Sequence, residues 1–176
     1  SKGRWLAFLD SDDYWEPQKL EKSIKFAQES GSPLTFTSYR TLTEPSKRMG
    51  GTVPVPASLS YSDLLKSNQI ATSTVVVDRS IFSNLKMPEN VFFDDYVAWL
   101  GILKQGHVAM SLPEPLSVYR TGSKSFSSNK LKAALSVMKI LRDVEGLPFL
   151  PRYKNFLIYA LRGIRKTFRR KVGGFA

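Results

Sequence analysis

Residues 3–24 read GRWLAFLDSDDYWEPQKLEKSI, and the order of residue types in this stretch decides the fold class. Arg4 to Leu9 is a short, nearly continuous apolar run, the pattern of a strand buried on both faces, and it ends abruptly at Asp10-Ser11-Asp12-Asp13. Carboxylates at the C-terminal end of a strand mark a site. Pro17 suits the first turn of a helix; Leu20, Ile24 and Ala27, with Phe26 beside them, supply its apolar face, and Ser30-Gly31 ends it. Pro33 to Tyr39 (PLTFTSY) then reads as a second strand. Strand, acidic loop, helix and strand make a βαβ unit of an α/β protein, whose ligands sit beyond the carboxyl ends of the strands.

Further along, residues 41–60 are rich in Pro, Gly, Ser and Thr without periodicity and read as an irregular excursion. A helix is expected from Tyr61 to Ser67, a strand from Ser73 to Val77 (STVVV) and a short helix from Arg79 to Asn84. Lys86 to Phe93 is a loop that delivers Asp94 and Asp95 to a helix in which Tyr96, Trp99, Leu100 and Leu103 share one face, and Gly106 stops it. His107–Ser111 and Leu116–Tyr119 read as short strands, followed by a Ser-rich loop to Ser128 and a helix over 129–143. No repeat or linker interrupts the chain before Gly146, which separates a body, 1–145, from a tail, 146–176.

A chain of 176 residues with 42% apolar and 12% aromatic residues is enough for one domain with its own core. The absence of cysteine excludes disulfides, cysteine-based zinc sites and a thiol nucleophile, and a reducing, cytoplasmic setting is the natural reading. No stretch approaches the roughly 20 apolar residues of a membrane span, and the opening residues lack a signal-peptide layout. Ser1 is not a natural start, so a fragment is expected. The net charge of +11 belongs to the tail: the body holds 18 Lys/Arg against 15 Asp/Glu, the tail 8 basic residues and no acid. A nearly balanced body argues against a nucleic-acid partner. In the tail, Tyr153, Leu157, Ala160 with Leu161, Ile164 and Phe168 recur at helical spacing, with the basic residues mostly elsewhere around the helix. Such a helix over 150–171 either docks on an anionic membrane surface or packs its stripe on the body.

Asp10, Asp12 and Asp13 place three carboxylates in four positions, a pattern suited to Mn²⁺ or Mg²⁺ with a phosphate substrate. Capping of the helix at Pro17 by Asp12 or Asp13 is the alternative. An EF-hand loop is excluded, because Tyr14 and Trp15 stand where a ligand and a glycine are required. Asp94-Asp95 at a helix start reads either as an ionised base or as an N-cap with an acidic first turn. His107 has no partner that spacing identifies, and Trp15 and Trp99 read as packing residues.

Three ordered phrases resemble the inverting family 2 glycosyltransferases of the GT-A fold. The opening stretch is similar to that family's G-x-x-x-x-F-L-D-x-D-D-x-W-x-P-x-K-L; DDYVAWLGILKQG from Asp94 and EPLSVYRTGSKSFSSNK from Glu114 resemble its acidic helix and its P-L-x-x-Y-R-x-G-x-x-S. NQIATSTVVVDRSIF from Asn68, which includes Thr74, resembles its acceptor side. The sequence departs in having Asp-Asp for the usual Glu-Asp, and Val97-Ala98 for a common Asp-Leu.

The resemblance implies a Rossmann-like mixed sheet flanked by helices, truncated before the segment that grips the nucleotide base, with a C-terminal helical extension. It implies a nucleotide-diphosphate-sugar donor and a saccharide or lipid-linked acceptor, in cell-surface polysaccharide or lipopolysaccharide synthesis at the inner face of the plasma membrane. Asp12 would bridge Mn²⁺ or Mg²⁺, Asp10 would support the metal or the donor, and Asp13 would brace the loop or touch the donor. Asp95 would be the general base, with Asp94 and Thr74 on the acceptor side. Arg120 reads as a diphosphate clamp or a surface ion pair. A nucleotidyltransferase and a basic membrane- or nucleic-acid-binding module are the alternative functions.

Overall fold

The computed structural model describes residues 2–82, 86–89, 91–121 and 130–172, with backbone alone for 130 and 165–172. Its centre is a seven-stranded mixed sheet of β1 (Trp5–Ala7), β2 (Tyr14–Trp15), β3 (Leu34–Thr43), β4 (Arg48–Val53), β5 (Ser58–Leu59), β6 (Val76–Asp78) and β7 (Ala109–Thr121). The strand order is β1-β6-β3-β7-β2, with β4 beside β3 and β5 beside β7. The helices are α1 (Lys19–Ser30), α2 (Tyr61–Leu64), α3 (Asp94–Leu103), α4 (Lys130–Lys139) and α5 (Phe149–Val172).

The βαβ reading needs one correction. β6 runs antiparallel to both β1 and β3, so those two strands are parallel to each other but not adjacent. The apolar run 4–9 is a strand only over Trp5–Ala7, and it is half-buried rather than covered on both faces, with Leu9 47% exposed. The reason is its place at the sheet edge, where β6 is its neighbour among the described residues.

In α1 the buried line is Lys19, Ser23 and Ala27, while Leu20 is exposed. Lys19 is fully buried, its ammonium 5.2 Å from the centre of the Trp15 ring, and burial lowers it to about 8. A long aliphatic stem with its charge on an aromatic face thus fills an inner position that the sequence pattern assigned to leucine. Gly31, at φ 64°, gives the left-handed residue that ends the helix.

Two further stretches differ from expectation. Residues 41–60 are not irregular throughout: β3 continues to Thr43 and β4 returns beside it, with Gly50 close against the Thr41 side chain. β4 is largely exposed, so it carries no apolar alternation to read. The two short strands expected around Pro113 and Pro115 are one, β7, paired in parallel with β3. Register shifts between Thr37 and Tyr39 absorb the prolines, which cannot donate to the ladder.

Smaller differences follow local turns. The strand expected from Ser73 begins at Val76, because Thr72–Thr74 close a 3₁₀ turn. Helix α2 ends at Leu64, and Arg79 to Ile81 form a turn rather than a helix. The helix at 129–143 is α4 followed by a π turn over Ile140–Val144, and the Ser-rich loop before it lies outside the described residues.

The core lies between the sheet and α3. Leu34, Phe36, Val75, Val77, Tyr96, Trp99, Leu100 and Leu103 are buried together, with Val137, Ile140 and Leu141 closing it. The Trp99 ring meets the edge of Phe8 at 5.3 Å, which ties the residue after β1, and hence the root of the acidic loop, to the core. The tail does not stand apart: Phe156 and Tyr159 of α5 pack against this core. Its other apolar stripe does not. Tyr153, Leu157, Leu161 and Ile164 are 49–60% exposed, and the Phe168 side chain is outside the described residues.

Candidate active site

The site forms where the loop from β1 to β2 crosses the sheet and meets the turn Thr72–Thr74. Because β1 and β2 lie at opposite ends of the strand order, the loop carrying Asp10, Asp12 and Asp13 must traverse the strand ends between them. Ser73 is its anchor. The Ser73 hydroxyl donates to Asp13 Oδ2 at 2.6 Å and accepts from the Asp10 N–H at 3.1 Å. The Ser73 carbonyl accepts from Trp15 Nε1 at 2.7 Å and from the Ser117 hydroxyl at 3.0 Å. A single buried serine therefore holds the loop, the strand after it and β7.

Asp13 caps no helix. The residue before α1 is Gln18, which makes no side-chain cap, and the second Asp13 oxygen accepts the Arg120 backbone N–H at 2.8 Å. Asp13 is buried and braces the loop from within, and burial outweighs these hydrogen bonds to hold its carboxyl above the ordinary range. Asp10 is pushed up as well, by burial first and then by the negative charges of Asp13, Asp12 and Asp95. Asp12 is exposed in the same loop.

The second cluster reaches this turn from the other side. Asp95 is half-buried; its Oδ2 accepts the Thr72 hydroxyl at 2.7 Å and its Oδ1 the Tyr96 N–H at 2.7 Å. Burial raises its pKa above the ordinary carboxylate value, and Asp94 adds to this. The residue that caps α3 is Phe93, with φ 69° and no side-chain cap, so Asp94 and Asp95 are first-turn residues. Asp94 is exposed and accepts the Asp95 N–H at 3.0 Å. Clusters more than eighty positions apart in sequence thus hang on the consecutive residues Thr72 and Ser73, and the charge of Asp95 is felt at Asp10.

Other sequence-predicted residues sit differently. The Thr74 hydroxyl is buried and donates to the Ala71 carbonyl at 2.6 Å, closing its own turn; Thr72 is the threonine bonded to an acid. Arg120 offers the loop its backbone, while its exposed side chain pairs with Glu44 at 3.5 Å. His107 packs edge-on against Phe82 at 5.1 Å. Trp99 is core and Trp15 is a hydrogen-bonded brace. Sequence reading missed Ser73, Thr72 and two tyrosines. Tyr119 is raised by burial and by Asp13 and Asp10, and Tyr159 of α5 by burial and by Asp95. The threonine-serine-threonine run was the available signal, but starting a strand at Ser73 hid the turn that aims the Thr72 and Ser73 hydroxyls at the acids.

Among the described residues no group of three or more His, Cys, Asp or Glu side chains converges as a metal cage. Asp10 and Asp12 fit a hard divalent cation of the kind that takes few protein carboxylates and completes its shell with water and phosphate oxygens. The surplus of negative charge around Asp10 is what such a cation would relieve.

In sequence and in fold the chain is similar to known proteins. The model of glycosyl transferase family 2 matches residues 1–69, which include the whole acidic loop. TuaG of Bacillus subtilis (strain 168), a glycosyltransferase assigned to teichuronic acid biosynthesis, is 36% identical over 166 residues, covering 94% of this chain and 66% of TuaG. WfaP of Escherichia coli, a UDP-Glc:alpha-D-GlcNAc-diphosphoundecaprenol beta-1,3-glucosyltransferase, is 32% identical, covering 94% of this chain and 64% of WfaP. The chain thus spans just under two thirds of the length of these relatives. In fold it is similar to S. aureus TarS, solved with UDP-GlcNAc, with a TM-score of 0.55 at 13% identity over 81% of this chain and 44% of that one.

Proposed function

Because this chain belongs to glycosyltransferase family 2, we propose that it is the catalytic part of an inverting enzyme of cell-surface polysaccharide synthesis, moving a sugar from a nucleotide-diphosphate donor to a lipid-linked acceptor. The meeting of the two acidic clusters at Thr72-Ser73 carries this reading. It sets the acidic loop, read here as the element for cation and phosphate, beside a carboxylate whose pKa burial raises, a pairing suited to glycosyl transfer.

Asp95 takes the proton of the acceptor hydroxyl. The acceptor oxygen forms its bond to the anomeric carbon as the bond from that carbon to the diphosphate oxygen breaks, and the diphosphate leaves with the electron pair. Attack opposite the leaving group inverts the configuration. Asp10 and Asp12 would hold Mn²⁺ or Mg²⁺, which when bound would supply positive charge to the leaving diphosphate. Asp13 keeps the loop in shape through Ser73 and the Arg120 N–H.

The tail supports placement on the inner face of the plasma membrane. No helix among the described residues is long and apolar enough to cross a membrane, yet α5 presents Leu150, Tyr153, Leu157, Leu161 and Ile164 outward, and no acid accompanies its basic residues. A surface-bound enzyme meets a lipid-linked acceptor in two dimensions.

The test is a panel of nucleotide-sugars, including UDP-glucose and UDP-GlcNAc, given with Mn²⁺ and a synthetic GlcNAc-diphospho-lipid to the full-length protein. Acceptor-dependent release of a nucleoside diphosphate is expected; release of pyrophosphate would assign nucleotidyl transfer instead.

A further inference from the structure

Asp95 has two engaged oxygens and a fixed plane. Tyr96 N–H occupies Oδ1 and the Thr72 hydroxyl occupies Oδ2, both at 2.7 Å, so each oxygen keeps capacity for one more hydrogen bond. The Thr72 side of this clamp is rigid. Its turn is closed by Thr74 N–H and Val75 N–H to the Ala71 and Thr72 carbonyls at 2.9 and 3.1 Å, and by the Thr74 hydroxyl. The Ser73 carbonyl is pinned by Trp15 and Ser117. A hydroxyl on such a turn is a donor set in place before any substrate arrives.

The groups around Asp95 make this donor matter. Asp94 on its own helix and Asp10 from the loop add negative charge; Tyr159 approaches from α5, and the Tyr96 phenol is tied to the Leu64 carbonyl at 3.0 Å. None of these four groups is a cation. What favours the ionised carboxylate is the Thr72 hydroxyl, the Tyr96 N–H and the N–H of Asp95 itself, and only the first can be removed by changing a side chain.

We propose that Thr72 is a positioning residue for the reaction: its hydroxyl fixes the plane of the Asp95 carboxylate, with the unclaimed lone pairs left for the acceptor hydroxyl. This rests on the reading of Asp95 as the base, and the experiment separates the two.

In the full-length protein, the Asp95 carboxyl is followed by ¹³C NMR titration, its signal identified by its loss in Asp95→Asn. The pH profile of kcat is measured with the donor that the panel identifies. Thr72→Val keeps the shape and removes the donor, and Thr72→Ser restores it. The expected result in Thr72→Val is an upward shift of the Asp95 midpoint, an equal shift of the acidic limb of kcat, and a loss in kcat at neutral pH of roughly tenfold, typical of one hydrogen bond to a charged group. Donor KM stays unchanged, and Thr72→Ser returns all three values to wild type. An unaltered midpoint and kcat in Thr72→Val, with Asp95→Asn inactive, would leave Asp95 as base and overturn the role of Thr72. A loss in Thr72→Val that Thr72→Ser does not rescue, with a lowered melting temperature, would mark a purely structural residue and overturn it too. Turnover of Asp95→Asn at the wild-type rate would remove the base, and the positioning role with it.

Discussion

Asp95 and Asp10 are both carboxylates held above their ordinary range, and the proposed chemistry needs both ionised, one to take a proton and the other to hold a cation. As a base, Asp95 must ionise at working pH, so the acidic limb of turnover is expected above the usual carboxylate range, as burial dictates. Asp95→Asn should cut turnover roughly 100-fold or more while donor binding, measured by calorimetry, is preserved. A loss of donor affinity with turnover intact would make Asp95 a binding residue. Asp10 is raised first by burial and then by its acidic neighbours, so at neutral pH the metal-free fold carries unrelieved repulsion. Asp10→Asn should therefore raise the melting temperature of the metal-free protein and abolish metal-dependent turnover; a lowered melting temperature would contradict the electrostatic account. The acids themselves were legible in the sequence because Asp-x-Asp-Asp and Asp-Asp stand out at element ends. Their hydroxyl partners were not. Thr72, Ser73 and Thr74 differ in role by one position each, and that depends on a 3₁₀ turn to which local composition is indifferent.

At the scale of elements, periodic segments were read well and aperiodic ones poorly. Helix α3 showed its apolar face openly, and α5 its stripe. β4 has no such face, and the prolines of β7 argued against a continuous strand, which only the shifted register with β3 permits. The two faces of α5 give a paired prediction. Phe156 packs on the core, so Phe156→Ala should cost roughly 2 kcal/mol in denaturant unfolding. Leu157 and Leu161 are exposed, so Leu157→Glu with Leu161→Glu should leave stability unchanged while weakening co-sedimentation with anionic liposomes. Equal binding of this variant and wild type, or equal binding to neutral and anionic vesicles, would leave the stripe without a membrane role.

Across the whole molecule, a chain of net charge +11 encloses a locally acidic notch. Asp10, Asp13 and Asp95 all have raised folded pKa values, so their stabilising contribution is complete below the unfolded value near 3.8 and is lost as pH rises through the folded values. Asp63 and Asp78, held low chiefly by Ser60 and by Arg4, behave oppositely and lose their contribution only as pH falls below that value. The metal-free protein should thus melt at higher temperature as pH is lowered from neutral toward the ordinary carboxylate range, and Asp10→Asn should flatten the rise. A monotonic fall in melting temperature over that interval would refute it. The mixed α/β sheet was legible because the opening 24 residues encode strand, loop and helix in order. The place of β6 between β1 and β3 was not, since pairing across more than thirty residues leaves no local trace. That Thr72 serves one acidic cluster and Ser73 the other bears on any chimaera made from two relatives. A junction between these residues would give the acidic loop and the proposed base different parents at the peptide bond that joins them. Ala71 to Thr74 should therefore be inherited whole, and the crossover placed outside it, when acceptor preference is to be transplanted.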